Sequence, residues 1–514
     1  MSIDGWQCVS WEKKRLMLNS LSGTSLYIIS IIVAFIMSPV YIKALGNRDY
    51  GLWELVMSVI GYMGLLDMGI GPALVRFVSV ASGREDQRDI QQTMSTALVF
   101  FLIIGAVSVF LCILLGYSPW IVAGKETKDI ANVGTVFLLF GVNAGLTLPL
   151  QVFIATLMGV QRHYFINFSR GAIMVLNALV AWYLLREFSG KGLIILALLT
   201  PIFTMIQCLL FVGAVHLDKQ IPGLSISAVS WIKFRELFSF GAKNAVMQVA
   251  SRLQNLSVPF IIGNVIGLGS IVFFVMPNRL IDYAKGLSMA IGFPLTPYFG
   301  STLGKGSHDE LVHSWLSTTL ALQIVTLAMP IAIFFYGESF LSLWIGNEYA
   351  VAGRWVIYFL LIGLVADSLA TNAFRMLTVQ GKHGRCAFVW LLLSVVSIPM
   401  GILGASLWGV TGATLGITTA VVVGNLVTIH MTCTIMQVAV KTFYRETIQR
   451  LLLPLGSLTV SLWVLSSQFP VTGYGIMIMH LLTGGVVYLQ MLWFVTLHTE
   501  TKKLFRERLV SLVS

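Results

Sequence analysis

Charged and amide side chains embedded in apolar sequence are the residues of this chain that could do chemistry, and they crowd into positions 244–297. Arg252, Arg279, Asp282 and Lys285 fall there, together with Asn244, Gln248, Gln254 and Asn255. Asn244, Gln248, Ser251, Arg252, Asn255 and Pro259 recur at three- or four-residue steps, so on a helix they share one stripe. Arg279, Asp282 and Lys285 repeat that spacing in the next apolar segment, framed by Pro277, Gly286, Pro294 and Pro297. An Arg or Lys at mid-membrane costs about 2.5–3.5 kcal/mol even on the lenient insertion scale unless it meets a partner or water. Two neighbouring segments that accept this cost imply a hydrated interior that handles something negatively charged.

Two further segments carry polar groups. The stretch 50–76 holds Glu54, Asp67 and Arg76 among Gly51, Gly61, Gly64, Gly69, Gly71 and Pro72. Glycine and proline inside a span free backbone groups and permit a break where protein or a watery cavity can satisfy them. Glu54 and Asp67 lie about 220° apart on a straight helix, so they face one cavity only if that break rotates one half. Gly286, Gly292, Pro294 and Pro297 give 271–298 the same design. In 353–377, Asp367, Thr371 and Arg375 follow at i, i+4 and i+8 on one face. Structural roles stand beside functional ones: Asp67 and Arg76 can mark a span end, Asp282 can pair with Arg279 or Lys285 one turn away, and Thr371 can hold Asp367 or Arg375.

The elements that must position these residues are membrane helices. The chain has 514 residues, 57% of them hydrophobic and 11% charged, with mean hydropathy +0.85, whereas soluble domains carry about 25% charged residues. Apolar runs of roughly 20 residues recur throughout, each enough to cross a ~30 Å hydrocarbon core as a helix. The expected fold is an all-α polytopic membrane protein of fourteen spans: 21–42, 51–75, 93–115, 130–156, 167–186, 192–214, 240–265, 271–298, 312–336, 353–377, 386–404, 408–431, 451–469 and 473–497. The first run is too long for a signal peptide and reads as an uncleaved helix. Lys and Arg of alternate loops outnumber those of the other set roughly threefold, which puts both termini in the cytoplasm.

A weak repeat at an offset of about 220 residues matches Val160, Gln161, Arg162 and His163 with Val379, Gln380, Lys382 and His383. Gly83 and Asp86 match Gly306 and Asp309, and Gly192 matches Gly412. An even six-span unit makes this a parallel repeat, related by an axis along the membrane normal. The expected organisation is a six-helix bundle over 1–214, a cytoplasmic linker over 215–239, a second six-helix bundle over 240–436, and two extra helices with a basic tail over 437–514. Within that tail Lys502, Lys503, Arg506 and Arg508 alternate with Leu504, Phe505 and Leu509, the pattern of an interfacial helix on anionic lipid.

The run Leu45-Gly46, Tyr50-Gly51-Leu52-Trp53, 61–71 (GYMGLLDMGIG) and Arg76, with Gly159–Arg162, resembles the Wzx-type polysaccharide and O-antigen flippases of the multidrug/oligosaccharidyl-lipid/polysaccharide exporter superfamily. The specific motifs cover roughly 40–90 and 157–163. The resemblance implies passage of a polyprenyl-pyrophosphate-linked oligosaccharide from the inner to the outer leaflet of the bacterial cytoplasmic membrane, by ion-coupled alternating access between two bundles. A polysaccharide polymerase and a chain-length regulator are the expected protein partners. A pyrophosphate carries about two negative charges, and Arg grips phosphate oxygens bidentately where Lys acts as a point charge. The candidate pyrophosphate ligands are Arg252, Arg279, Lys285, Arg76 and Arg375. Asn244, Gln248 and Asn255 are candidates for sugar hydroxyls, and Glu54, Asp67, Asp282 and Asp367 for an ion or proton relay. The final pair of spans is more like the lipid II flippases.

Other classes fit less well. The basic residues are too dispersed for a nucleic-acid surface. The five cysteines have no CxxC or paired spacing and read as small buried hydrophobes. No GxxxxGK[ST] loop, metal-ligand set or Ser/His/Asp constellation appears, so neither a cofactor nor an enzyme such as a polymerase or ligase is expected. A cation-coupled drug antiporter of the same superfamily would favour acidic cavity residues over this excess of Arg and Lys.

Overall fold

Backbone satisfaction in lipid dictates helices, and helices are what form. The computed structural model describes residues 3–123, 126–127, 132–304 and 306–496, with side chains from residue 18 onward except at 20, 243 and 244. Among the described residues every regular element is helical. In chain order these are Ile3–Met63 (α1), Ile70–Gly83 (α2), Gln87–Tyr117 (α3), Trp120–Ala123 (α4), Val133–Gly159 (α5), His163–Glu187 (α6), Gly192–Leu217 (α7) and Trp231–Val265 (α8). They continue as Val272–Gly292 (α9), Leu295–Gly304 (α10), His308–Thr326 (α11), Ala328–Trp344 (α12), Asn347–Val379 (α13), His383–Ile435 (α14), Val440–Thr447 (α15), Leu452–Gln468 (α16) and Tyr474–Met491 (α17). The chain is a multi-pass membrane protein.

Among the described residues, ten helical stretches are long and apolar enough to cross a membrane. Two of them are double. At 61 residues α1 would run about 90 Å if straight, and α14 has 53 residues. Each breaks at a glycine with positive φ: Gly46 (φ 72, ψ 170) and Gly409 (φ 62, ψ −144). A Cβ strains such backbone, and glycine admits it freely. With both stretches divided, and with α8 and the α9–α10 pair added, the fourteen expected segments are recovered.

The two limbs of α14 form a tight hairpin. A Cβ on Gly412 would sit 2.0 Å from the Gly404 carbonyl oxygen, and one on Gly416 would sit 2.7 Å from the Gly401 nitrogen. Further along the hairpin, Trp390 Nε1 donates to Thr428 Oγ1 at 3.0 Å. Helix starts at the expected cytoplasmic end are capped: Asp86 accepts from the Asp89 amide (3.0 Å), Ser230 from Lys233 (3.4 Å) and Ser307 from Glu310 (3.3 Å). Asp86 caps α3 and Ser307 caps α11, the third and ninth of the expected spans.

The chain packs as two compact units, Met1–Val272 and Phe273–Ser514. The sequence placed the seventh segment, from residue 240, in the second bundle. In the structure α8 packs on α1, α2 and α3 and so belongs to the first unit. The physical reason is its polar face, which finds partners there: Tyr62 and Ser257 hydroxyls meet at 2.8 Å, and Lys233, also paired with Glu236 of its own helix at 3.0 Å, reaches Asp89 at 2.6 Å. Burial opposes the Lys233 charge, but the two carboxylates outweigh it and leave its pKa raised. The linker 215–239 is stitched to the same unit, where Ser95 and Thr96 hydroxyls accept from the amides of Ser225 and Ser230. A core of Ile70, Leu74, Met94, Phe101, Phe153 and Phe211 fills that end.

In the second unit α11, α13 and α15 enclose Phe299, Trp315 and Phe443, with Trp315 stacked on Phe443 at 5.2 Å. The extra pair, α16 and α17, packs on α12 around Tyr336, Leu458, Leu462 and Tyr488. Buried His480 meets the Tyr336 hydroxyl at 3.1 Å there, a structural role. Of the cysteines, Cys112, Cys386 and Cys433 are buried and free. Lys305 and the basic tail beyond residue 496 lie outside the described residues.

Gly404→Val should lower stability by about 1–3 kcal/mol or more, because the α14 limbs must separate. Gly456→Val, where a side chain meets nothing within 4 Å, should not. Thermal unfolding of the detergent-solubilised protein, followed by size-exclusion chromatography, checks the contrast.

Candidate functional site

In the first unit the polar stripe of α8 meets a broken second span. The break runs through the 3-10 turn Gly64–Asp67, then Met68 and Gly69 in left-handed conformation, before α2 resumes. The Arg252 guanidinium lies on this break. Its Nη1 donates to the Gly61 carbonyl, and a Cβ on Gly64 would stand 2.9 Å from Nη1. The glycine therefore makes room for the guanidinium, and the carbonyl uses one of its five N–H donors.

The neighbouring candidates have diverse roles. Asn255 donates to Ser251 Oγ at 3.3 Å and is exposed, while Gln248 is half-buried. The side chain of Asn244 lies outside the described residues. Gln254 Nε2 is buried with no hydrogen-bond partner among the described residues. Asp67 accepts from the Gly71 amide at 2.9 Å, so it caps α2 as a span-end residue does. Glu54, a long way back on α1, accepts from the Tyr50 hydroxyl at 2.5 Å, and nothing brings it to Asp67. Exposed Arg76 lays its guanidinium over the Phe240 ring at 4.5 Å, a cation–π contact.

In the second unit the charges of α9 are answered from α13 and α14. Lys285 Nζ lies 2.7 Å from Asp367 Oδ2, and Asn425 Nδ2 donates to Asp367 Oδ1 at 2.6 Å. The sequence offered Asp282 a pairing with Arg279 or Lys285, one turn away on either side. In the structure Asp282 Oδ2 accepts from Asn278 at 2.9 Å, and the lysine also reaches across to Asp367 on another helix. Arg279 also has an interaction partner. Thr371 donates to the Asp367 main-chain oxygen at 2.5 Å and so holds neither charged group directly.

Arg375, two turns beyond Asp367, reaches the other interrupted span. A Cβ on Gly292 would fall 2.2 Å from its Nη1, and this nitrogen is buried without a hydrogen-bond partner among the described residues. Gly292 ends α9, ahead of Phe293, Pro294 and α10. Each unit thus has an arginine resting on a glycine beside the break of an interrupted span. Among the described residues no group of His, Cys, Asp and Glu could hold a metal ion.

Sequence reasoning passed over Asn425, although an amide inside the apolar run 408–431 was a visible signal. The structure sets Arg170 two turns into α6, where it lines a cavity of about 580 Å³ with Tyr27, Asn177 and Thr204.

No protein-family model matches the chain. Among curated proteins it is 23% identical over 380 residues to a Shigella flexneri protein named "Putative O-antigen transporter", covering 72% of this chain and 86% of the relative. It is likewise 23% identical over 428 residues to the Bacillus subtilis (strain 168) membrane protein EpsK, covering 80% and 81%. Among solved structures, a lipid II flippase MurJ in an inward closed conformation matches with TM-score 0.70 and 12% identity over 96% of this chain and all of that one. An inward-facing multidrug resistance MATE transporter matches with TM-score 0.66 and 15% identity over 81% of this chain and 95% of that one. The chain shares the fold of these two transporters. The name of the Shigella relative agrees with the resemblance to the Wzx-type polysaccharide flippases drawn from the glycine-rich second span.

The Lys285–Asp367 contact gives a direct test. Lys285→Asp and Asp367→Lys singly should each leave uncompensated like charges and remove transport, with lower protein levels in the membrane. The combined swap should restore at least the level of folded protein, as read by membrane immunoblot and thermal unfolding.

Proposed function

We propose that the chain is a flippase for a polyprenyl-pyrophosphate-linked oligosaccharide repeat unit. It carries the unit from the inner to the outer leaflet of the bacterial cytoplasmic membrane, by ion-coupled alternating access, for assembly of an O-antigen, capsule or exopolysaccharide. The observation that carries this reading is the Arg252 guanidinium seated on the broken second span, beside Gly64 and Gly61. Cationic donors at a break inside a membrane span suit an anionic headgroup, because fixed N–H groups there replace the hydration that a phosphate loses. The Shigella relative, named for O-antigen transport, supports the cargo class.

Arg279, Lys285 and Arg375 in the second unit, and Arg76 in the first, are the further proposed phosphate ligands. Gln248, Asn255 and Asn244 are proposed for sugar hydroxyls. Asp367 is the foremost candidate for coupling, since protonation or ion binding at its carboxylate would release Lys285. Glu54 and Asp282 follow, and the capping hydrogen bond of Asp67 favours a structural role for it. A polysaccharide polymerase and a chain-length regulator are the proposed protein partners, and both termini are proposed to be cytoplasmic. The relatives' names are those of transporters where they state a function, which favours transport over a membrane enzyme. A lipid II-type cargo is the second reading, favoured by the fold match that spans the whole of MurJ. Its pyrophosphate is bound by the same chemistry.

Deletion of the gene in its host should accumulate lipid-linked repeat units on the cytoplasmic side and deplete surface polysaccharide. Normal surface polysaccharide would overturn the proposal, and accumulation of lipid II instead would select the second reading. Arg252→Ala and Arg279→Ala should fail to complement while reaching the membrane at wild-type level. If both export normally, these arginines are not the phosphate ligands.

A further inference from the structure

The two halves of the repeat each carry a cavity at the expected cytoplasmic end, and the two differ in charge. In the first unit a cavity of about 530 Å³ is bounded by Arg162 and Tyr164, at the turn between α5 and α6, and by Leu217, Asp218 and Lys219, at the end of α7. Arg162 Nε donates to Asp218 Oδ2 at 3.0 Å, so this cavity neutralises its own arginine. In the second unit a cavity of about 730 Å³ occupies the corresponding place. It lies between the α13–α14 turn, with Lys382 and Arg385, and the end of α14, with His430 and Thr434. These are the positions that the sequence repeat pairs: Arg162 with Lys382, and the end of the sixth span with the end of the twelfth. No carboxylate lines the second cavity among the described residues, and 434–439 (TIMQVA) has none to match Asp218.

The surroundings indicate what such a site takes. From Arg385 an exposed apolar stripe runs along the first limb of α14 through Phe388, Leu392 and Val395. From Thr434 and His430 a second runs back along the other limb through Leu426 and Val423. The spacing of three and four residues keeps each stripe on one face, and the hairpin holds the limbs side by side. Two apolar tracks of membrane depth therefore end at one cationic cavity. A soluble anion would use the cavity but not the tracks.

We propose that this cavity is a binding site for an anionic phospholipid of the inner leaflet. Lys382 and Arg385 hold the headgroup phosphate, His430 and Thr434 add hydrogen bonds, and the acyl chains lie along the α14 hairpin. Basic pockets between membrane helices at the cytoplasmic side bind such headgroups, and the volume suits a ligand of this size. The occupant is a resident lipid, distinct from the transported cargo, and the proposal does not depend on what that cargo is.

Native mass spectrometry of the purified full-length protein, titrated with cardiolipin, phosphatidylglycerol or phosphatidylcholine, tests it. The wild type should retain cardiolipin and phosphatidylglycerol in preference to phosphatidylcholine. Lys382→Gln/Arg385→Gln should bind the anionic lipids about 30-fold more weakly, from the loss of two interfacial cations. Lys43→Gln, an exposed lysine of the first unit that lines neither cavity, should bind them as the wild type does. Arg385→Lys, which preserves charge, should retain binding and so separates loss of the site from loss of the fold. Equal retention of all three lipids by the wild type, or unchanged binding by the double variant, overturns the proposal. Displacement of the lipid by inorganic pyrophosphate at comparable concentration also overturns it, since the cavity is then a soluble-anion site.

Discussion

A lysine inside a membrane needs an answer to its charge, and the Lys285–Asp367–Asn425 contact is where this chain supplies one most completely. The Asp367 carboxylate uses one oxygen for the ammonium and the other for the Asn425 amide, so three helices of the second unit meet at one group. Its side chain is 25% exposed, so protein does not enclose the pair on every side. A sealed pair often contributes little to stability, because desolvation offsets the attraction. A partly hydrated pair can form and part at modest cost. The same constraint explains why Arg252 and Arg375 lie against backbone rather than apolar side chains.

The interrupted spans show how backbone and charge solve each other's problems. A break leaves carbonyl and amide groups without helical partners, and an arginine in an apolar segment needs acceptors. At the second span the Gly61 carbonyl receives an Arg252 donor, and Gly64 gives the guanidinium its space. At the eighth span Gly292 likewise gives the Arg375 guanidinium its space, but Nη1 finds no acceptor there among the described residues. The two glycines occupy comparable places in the repeat, but the arginines come from α8 and α13, which do not. Placement of a cation at the break is thus common to both units, although each draws it from a different helix.

Most of the fold could be read in the sequence, because twenty-residue apolar runs and glycine–proline breaks are local signals. The interruptions at Gly64–Gly69 and Phe293–Pro294 lie where the glycine and proline pattern put them. Partner choice was less legible. Periodicity placed Asp282 one turn from Lys285, but a four-carbon stem samples neighbouring helices as readily as its own, and Asp367 lies across the sequence from it. Nor did periodicity assign α8 to a unit, since a polar stripe says that partners exist without saying which helix bears them.

The two units resemble one another in geometry more than in chemistry. The two units reproduce a capped helix start at Asp86 and Ser307, a broken span, and a cavity beside the turn that follows each half's fourth span. Within that shared frame the first unit closes the Arg162 charge with Asp218, and the second leaves Lys382 and Arg385 facing a cavity lined by no carboxylate among the described residues. An acid was not needed at the second position if the charge there is answered from outside the chain. The available answer at a membrane surface is a phosphate headgroup, present at high local concentration and held by its own acyl chains. On this argument the asymmetry is a division of labour, in which one cavity is locked by the protein and the other is completed by the bilayer.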